Sequence, residues 1–298
     1  MYALTKFENQ LKKDKVNSAL VLRNNTRMVE YYRNNKMKEK QHKIYSVTKS
    51  ILSILVGIAI DKGYIENINT RIDHYFPELN NTREKQKIII KYLLTMTSGI
   101  HWPGNGGMIP SKNWVNFVLD QPIDNPPGKE MVYSCGSSHL ISAILQKATG
   151  LNTEVFARKQ LFTPLGITDY NWNHDAQGIA IGGFGLTMRT DDMLKIGELY
   201  LNNGRWKSKQ IVPYYWVEES TSPKVKVGDT TSYAYHWWSE TFDGRIGRIF
   251  LASGYEGQYI IVAPGHQLVA VFTSSIKDDA KRPLFYFKEY LLPYVRNQ

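Results

Sequence analysis

The sequence predicts an α+β fold: an antiparallel sheet assembled from both ends of the chain and flanked by helices, with a mostly helical lobe inserted between them. Three observations lead there. Short β-rich runs lie near the N-terminus and again in the last third of the chain. Helical spacing and turn punctuation fill the middle. The stretch from Ile51 to Ile60 carries no charge and places Ile51, Ile54, Leu55, Ile58 and Ala59 at helical intervals, with Leu52, Val56 and Ile60 on the other side. Such a helix is apolar nearly all round and belongs in a core. The expected division is a sheet lobe from residues 1–65 and 205–298 and a helical lobe from residues 66–204, with the site between them.

Taken in order, residues 4–15 form an amphipathic helix. Ser18–Leu22 and Met28–Tyr32 flank Asn24-Asn25 and predict a hairpin. The buried helix starts at Ser46 and stops at Gly63. Helical or turn-like segments follow at Asp73–Pro77, Ile88–Thr95 and Trp114–Leu119, then the Pro126-Pro127-Gly128 turn and a helix over about 137–149. A cap near Thr190 starts a helix to Asn202, with Asp191 and Asp192 in its first turn. Arg248–Ala252, Gly257–Ala263 and Gln267–Thr273 predict strands, and a helix over about 283–294 closes the chain.

Composition sets bounds. At 298 residues with 42% hydrophobic and 12% aromatic content, the chain has the make-up of an ordinary soluble globular protein of one large domain or two lobes. Its longest apolar run is about half of what a membrane span needs. The N-terminus lacks the pattern of a secretion signal, so a cytoplasmic location is expected unless the chain has been trimmed. The lone Cys135 excludes an intrachain disulfide and fits a reducing compartment. The formal charge of +10 is spread along the chain without a nucleic-acid-binding signature, so a solvated basic face is expected rather than a nucleic acid partner.

The chemistry gathers at the head of the buried helix. A serine there can be a plain cap, but a capping box wants Glu or Gln three residues on, and this chain has Lys49. A cation in the first turn opposes the helix dipole, and burial disfavours it further. Both effects push Lys49 toward the neutral amine, a base beside the Ser46 hydroxyl. A second Ser-x-x-Lys, Ser274–Lys277, has no buried helix behind it. Tyr133, delivered after the Pro-Pro-Gly turn, is a candidate proton shuttle, although most of the 19 tyrosines must be packing. Cys135 and His139 are spaced i, i+4, so a thiolate pair is a rival nucleophile. No third residue at metal-ligand spacing accompanies them. Ala252-Ser253-Gly254-Tyr255 ends one β run and Gly257-Gln258 opens the next; an N–H there can pair with that of Ser46 to hold an oxyanion, or the segment is an ordinary hairpin turn.

Together these segments resemble the penicillin-recognising serine hydrolases: class C β-lactamases, DD-peptidases and related esterases and amidases. Ser46-Val-Thr-Lys49 resembles the family's first motif, Tyr133-Ser-Cys135 its second (usually Tyr-x-Asn), and Ala252-Ser-Gly254 its third (usually Lys-Thr-Gly). Leu93–Gly99, Pro126–Gly128, Leu161–Gly166, Gly182–Leu186 and Gly257–Pro264 match its framework in order, so the likeness spans roughly 16–295. The resemblance implies a β-lactamase/transpeptidase-like fold, Ser46 as acylated nucleophile, Lys49 as base and Tyr133 as proton relay. It implies an oxyanion hole from the N–H groups of Ser46 and Tyr255, or Gln258 in a neighbouring register. Cys135, Ser253, Gly254 and Gln258 would line the substrate, with no metal or cofactor. Cys135 replaces an amide and Ala252 a cation that meet β-lactam substrates. The expected activity is therefore hydrolysis of a small ester or amide, as in the 6-aminohexanoate-dimer hydrolase branch. A true β-lactamase or DD-peptidase and a non-catalytic sensor are the alternatives.

Overall fold

A computed structural model of the chain describes residues 2–81, 83–242 and 247–296. Eight antiparallel strands form the main sheet, in the order Thr26–Tyr32, Val16–Arg23, Leu268–Ser274, Gln258–Ala263, Gly247–Gly254, Trp238–Phe242, Thr231–Tyr233 and Val225–Lys226. The two ends of the chain meet where Val16–Arg23 pairs with Leu268–Ser274. The first hairpin turns at Asn24 and Asn25, with φ of 50° and 60°, a left-handed pair that asparagine tolerates and two-residue hairpins require. Strand alternation then sorts side chains onto two faces. Leu20, Phe250, Ala252, Ile260, Val262, Val269 and Val271 join the core that holds the buried helix. Ala19, Ile249, Leu251, Tyr259, Ile261, Ala270 and Phe272 face the terminal helices through Phe7, Leu11, Phe287 and Leu291.

The central helix spans Val47–Asp61 and every residue from Val47 to Ala59 is buried. It packs between the sheet and the helix Cys135–Thr149. Gly57 lets the Trp216 ring lie directly on its backbone, where an added Cβ would meet the ring at 2.2 Å, and the Trp216 Nε1–H donates to the Ser53 carbonyl at 2.9 Å. Trp216 thereby clamps the far side of the helix to Tyr214–Thr221. No helix among the described residues is long and apolar enough to cross a membrane.

Three features of the fold lie outside the sequence reading. Thr190–Leu201, placed by sequence in the helical lobe, packs on the sheet against Leu268–Ser274 and Gln258–Ala263. Gly197 permits the approach, since a Cβ there would stand 2.4 Å from Val269. Strands Val225–Lys226, Thr231–Tyr233 and Trp238–Phe242 went unread because the first two are too short to carry a period and the third is half polar. A second sheet, Tyr170–Trp172, Leu186–Met188 and His42–Lys43, also escaped notice. It ties the approach to Ser46 into the fold, with the Ile44 N–H donating to the Leu186 carbonyl at 3.1 Å.

Candidate active site

Ser46 occupies the N-cap position with φ −68° and ψ −7° and makes no side-chain capping hydrogen bond. Its hydroxyl faces Lys49 instead. The residue before it, Tyr45, has φ of +47°, a left-handed conformation that costs a non-glycine residue of order 1–3 kcal/mol and collects at functional sites. Two contacts hold this turn. The Tyr45 ring meets the Tyr255 ring edge-on at 5.5 Å, and Gly254 lets its strand pass so close to the Ile44 carbonyl that an added Cβ would stand 2.3 Å from that oxygen. The Ile44 carbonyl accepts from the Val47 N–H at 3.1 Å, which starts the helix.

Lys49 is 1% exposed. Its Nζ donates to the Gly183 carbonyl at 2.7 Å, lies 3.0 Å from Ser46 Oγ and 3.4 Å from Cys135 Sγ. Three partners match the three donors of an ammonium. Burial works against that charge, but electrostatic attraction to Tyr133 and Cys135, with hydrogen bonding to both, outweighs it and holds the Lys49 pKa above the usual lysine value. The neutral amine expected from burial and the helix dipole is therefore corrected. Sequence position supplies both of those effects but not the opposing neighbours Tyr133 and Cys135, which come from a segment more than 80 residues along the chain.

Tyr133 and Cys135 come to the site together. The Val132 N–H donates to the Met96 carbonyl at 2.8 Å and the Gly128 N–H to the Thr97 carbonyl at 2.7 Å, so the Pro-Pro-Gly turn anchors the segment on Leu93–Gly99. The Ser134 hydroxyl caps the next helix by accepting from the Ser137 N–H at 3.1 Å. That helix begins at Cys135, two residues before the expected start. Lys49 Nζ lies 4.8 Å from the Tyr133 ring centroid, and the same ring stacks on Trp238 at 6.2 Å with 20° between planes. Gly182 and Gly183 let their loop sit on this helix: a Cβ on Gly183 would come within 2.8 Å of the Cys135 Cβ.

The remaining candidates divide. Tyr255 is 55% exposed beside Tyr45. Gln258 is buried, pairs with Gly254 across the strands, and uses its amide on Ser274 and the Tyr255 carbonyl. Ser253 lines a cavity with Trp238 and Tyr259, whereas Ala252 is wholly buried in the core of the central helix. The rival Cys135–His139 pair is not formed: the His139 ring turns to Asp175, with Nε2 3.0 Å from its carboxylate and both side chains fully buried. Ser274 sits on a strand with its hydroxyl donated to the Glu256 and Gly257 carbonyls, so the second Ser-x-x-Lys forms no such site.

Sequence reasoning missed His236. It is buried with φ of +58°. Burial first, and the Lys49 charge second, lower its pKa to about 3, so the imidazole is neutral. Its Nδ1 lies 3.2 Å from the Lys49 carbonyl, which can only accept, so Nδ1 carries the proton. Its own carbonyl accepts from the Ser50 hydroxyl at 2.7 Å, and Nε2 lies 3.4 Å from Ser138 Oγ. His236 thus braces the central helix against Cys135–Thr149 directly behind Lys49. A histidine among the aromatics Tyr235 and Trp237 gives no local sign of this. Among the described residues, no three His, Cys, Asp or Glu side chains are grouped to hold a metal ion.

The chain is similar in sequence and fold to known proteins. The 6-aminohexanoate-dimer hydrolase of Paenarthrobacter ureafaciens is 23% identical over 310 residues, covering 94% of this chain and 77% of that protein. A Bacillus anthracis structure provisionally assigned as a 6-aminohexanoate-dimer hydrolase superposes with a TM-score of 0.82 at 21% identity, over 97% of this chain and 81% of that one. The octameric penicillin-binding protein homologue of Pyrococcus abyssi gives 0.76 at 17% identity, over 98% and 77%. With its eight-stranded sheet, its buried Ser-x-x-Lys helix and a match of residues 10–287 to the Beta-lactamase family model, the chain belongs to the Beta-lactamase family.

Proposed function

We propose that this chain is a serine hydrolase that cleaves a small ester or amide through a covalent acyl-enzyme on Ser46. The observation that carries this reading is the Ser46 hydroxyl, unused as a cap and 3.0 Å from a buried lysine that bridges it to Tyr133 and Cys135. Ser46 Oγ attacks the substrate carbonyl and loses its proton to Lys49 as Lys49 passes one of its own to the Tyr133 oxygen. Lys49 thus keeps its charge, and Tyr133 then protonates the departing oxygen or nitrogen. Water reverses the path: its proton goes to Tyr133, its oxygen takes the acyl group, and Ser46 recovers its proton through Lys49. The developing oxyanion is met by the N–H groups of Ser46 and Tyr255. The Tyr255–Tyr45 ring contact, which sets the Tyr255 turn beside Ser46, supports that register over Gln258.

A small, neutral acyl substrate fits the chemistry of the walls. Cys135 offers no amide and is engaged with Lys49, and Ala252 offers no cation. A fluorophosphonate probe should label Ser46 alone, and Ser46→Ala should abolish both labelling and ester turnover while leaving the fold intact. Mass spectrometry placing the label on Ser274 or Cys135 would overturn the assignment.

A further inference from the structure

The rings around Tyr133 include a second tyrosine, to which the mechanism above gives no part. Tyr233 is 1% exposed, ends the strand Thr231–Tyr233 and stands directly opposite Trp238 on the neighbouring strand. Its ring meets Trp238 edge-on at 4.8 Å and Tyr133 edge-on at 6.0 Å, and its side chain is hydrogen-bonded to that of Tyr133. We propose that Tyr233 is a positioning residue for acyl transfer, whose hydroxyl turns the Tyr133 O–H toward the leaving atom. The inference rests on the serine-hydrolase reading, in which Tyr133 protonates that atom.

A phenol oxygen has one proton to give and two lone pairs to receive. Lys49 and Tyr233 both hydrogen-bond to the Tyr133 side chain. Tyr233 is the donor of its pair: burial first, with Tyr133 and Cys135 close by, raises its pKa well above the usual tyrosine value, so it keeps its proton. With both lone pairs taken, the Tyr133 proton is left the remaining direction, and a side chain that is 38% exposed is open to a substrate. The ring cannot swing away. Trp238 stacks on it with 20° between planes, and Lys49 Nζ lies 4.8 Å from its centroid. Rotation of the hydroxyl is thus the freedom that Tyr133 retains, and the bond from Tyr233 restricts it. Without that bond the relay still runs, but its proton is no longer aimed. The loss is felt where the leaving atom needs a proton in order to depart.

Two esters of one acyl chain test this. p-Nitrophenoxide departs without being protonated, whereas an alkoxide needs a general acid. Tyr233→Phe removes the hydroxyl and keeps both ring contacts, and kcat/KM is measured on ethyl butyrate and on p-nitrophenyl butyrate. The ratio of ethyl to nitrophenyl ester should fall about tenfold, the scale of one lost hydrogen bond. A merely structural role lowers both rates alike and leaves the ratio where it was. The ratio is also the same for any folded fraction, so partial unfolding does not imitate the effect. In a Tyr133→Phe background, Tyr233→Phe should cause no further fall on the ethyl ester. An unchanged ratio, or the same loss in both backgrounds, overturns the inference and leaves Tyr233 a packing residue. Parent protein that turns over neither ester and leaves Ser46 unlabelled would instead refute the hydrolase reading, and this inference with it.

Discussion

Gly254→Ala tests how tightly the third-motif strand sets the nucleophile. The φ of Gly254 lies outside the left-handed region, so alanine is sterically permitted there and the effect is contact alone. The new Cβ would stand 2.3 Å from the Ile44 carbonyl oxygen, while ordinary contacts begin at 3.4 Å. About 1 Å of backbone displacement must follow. It cannot be absorbed by a flexible side chain, because that carbonyl accepts the Val47 N–H that starts the helix, two residues from Ser46. A misplacement of about 1 Å costs on the order of 10²-fold in rate, and overpacking of this kind costs about 1–3 kcal/mol of stability. The assay is kcat/KM on a short-chain p-nitrophenyl ester, with the melting temperature measured alongside. Gly106→Ala is the control, since nothing stands within 4 Å of its added Cβ. Folded Gly254→Ala protein within threefold of the parent rate would refute the proposition that this strand fixes Ser46.

Lys49→Arg should be nearly as inactive as Lys49→Ala, because a guanidinium keeps the charge but cannot relay a proton; substantial activity in single-turnover assays would reduce Lys49 to a fixed charge. Tyr133→Phe should lower the rate by about 10² or more, and full activity would return Tyr133 to a packing role beside Trp238. Nitrocefin should be hydrolysed far more slowly than a p-nitrophenyl ester at equal concentration. A missing charge-assisted contact at about 1.5–3 kcal/mol and a missing neutral hydrogen bond at about 0.5–1.5 kcal/mol amount to a loss on the order of 30-fold to 10³-fold, and comparable rates would favour a β-lactamase.

Much of the fold was legible because it rests on local patterns. The apolar helix behind Ser46 shows its period within one stretch, the hairpin announces itself at Asn24-Asn25, and the three C-terminal strands are rich in β-formers between turns. The ordered likeness to a known family extended this to the sheet built from both termini, which the structure has. Strands of two or three residues and the short sheet through His42–Lys43 carry too little sequence for any period to show.

By itself the sequence determined that a serine and a lysine share the first turn of a buried helix, because three residues of separation on a helix suffice for that. The charge on the lysine was decided only by the tertiary structure. Its neighbour Cys135 is 86 residues away and the brace at His236 is 187 residues from Lys49. Likewise, alternation alone separates Ala252 from Ser253, but only packing fixes which of the two turns to the central helix and which to the cavity behind Trp238. Periodicity is local and survives in one dimension, whereas a pKa depends on charges a few ångströms away in space, wherever the chain brings them from.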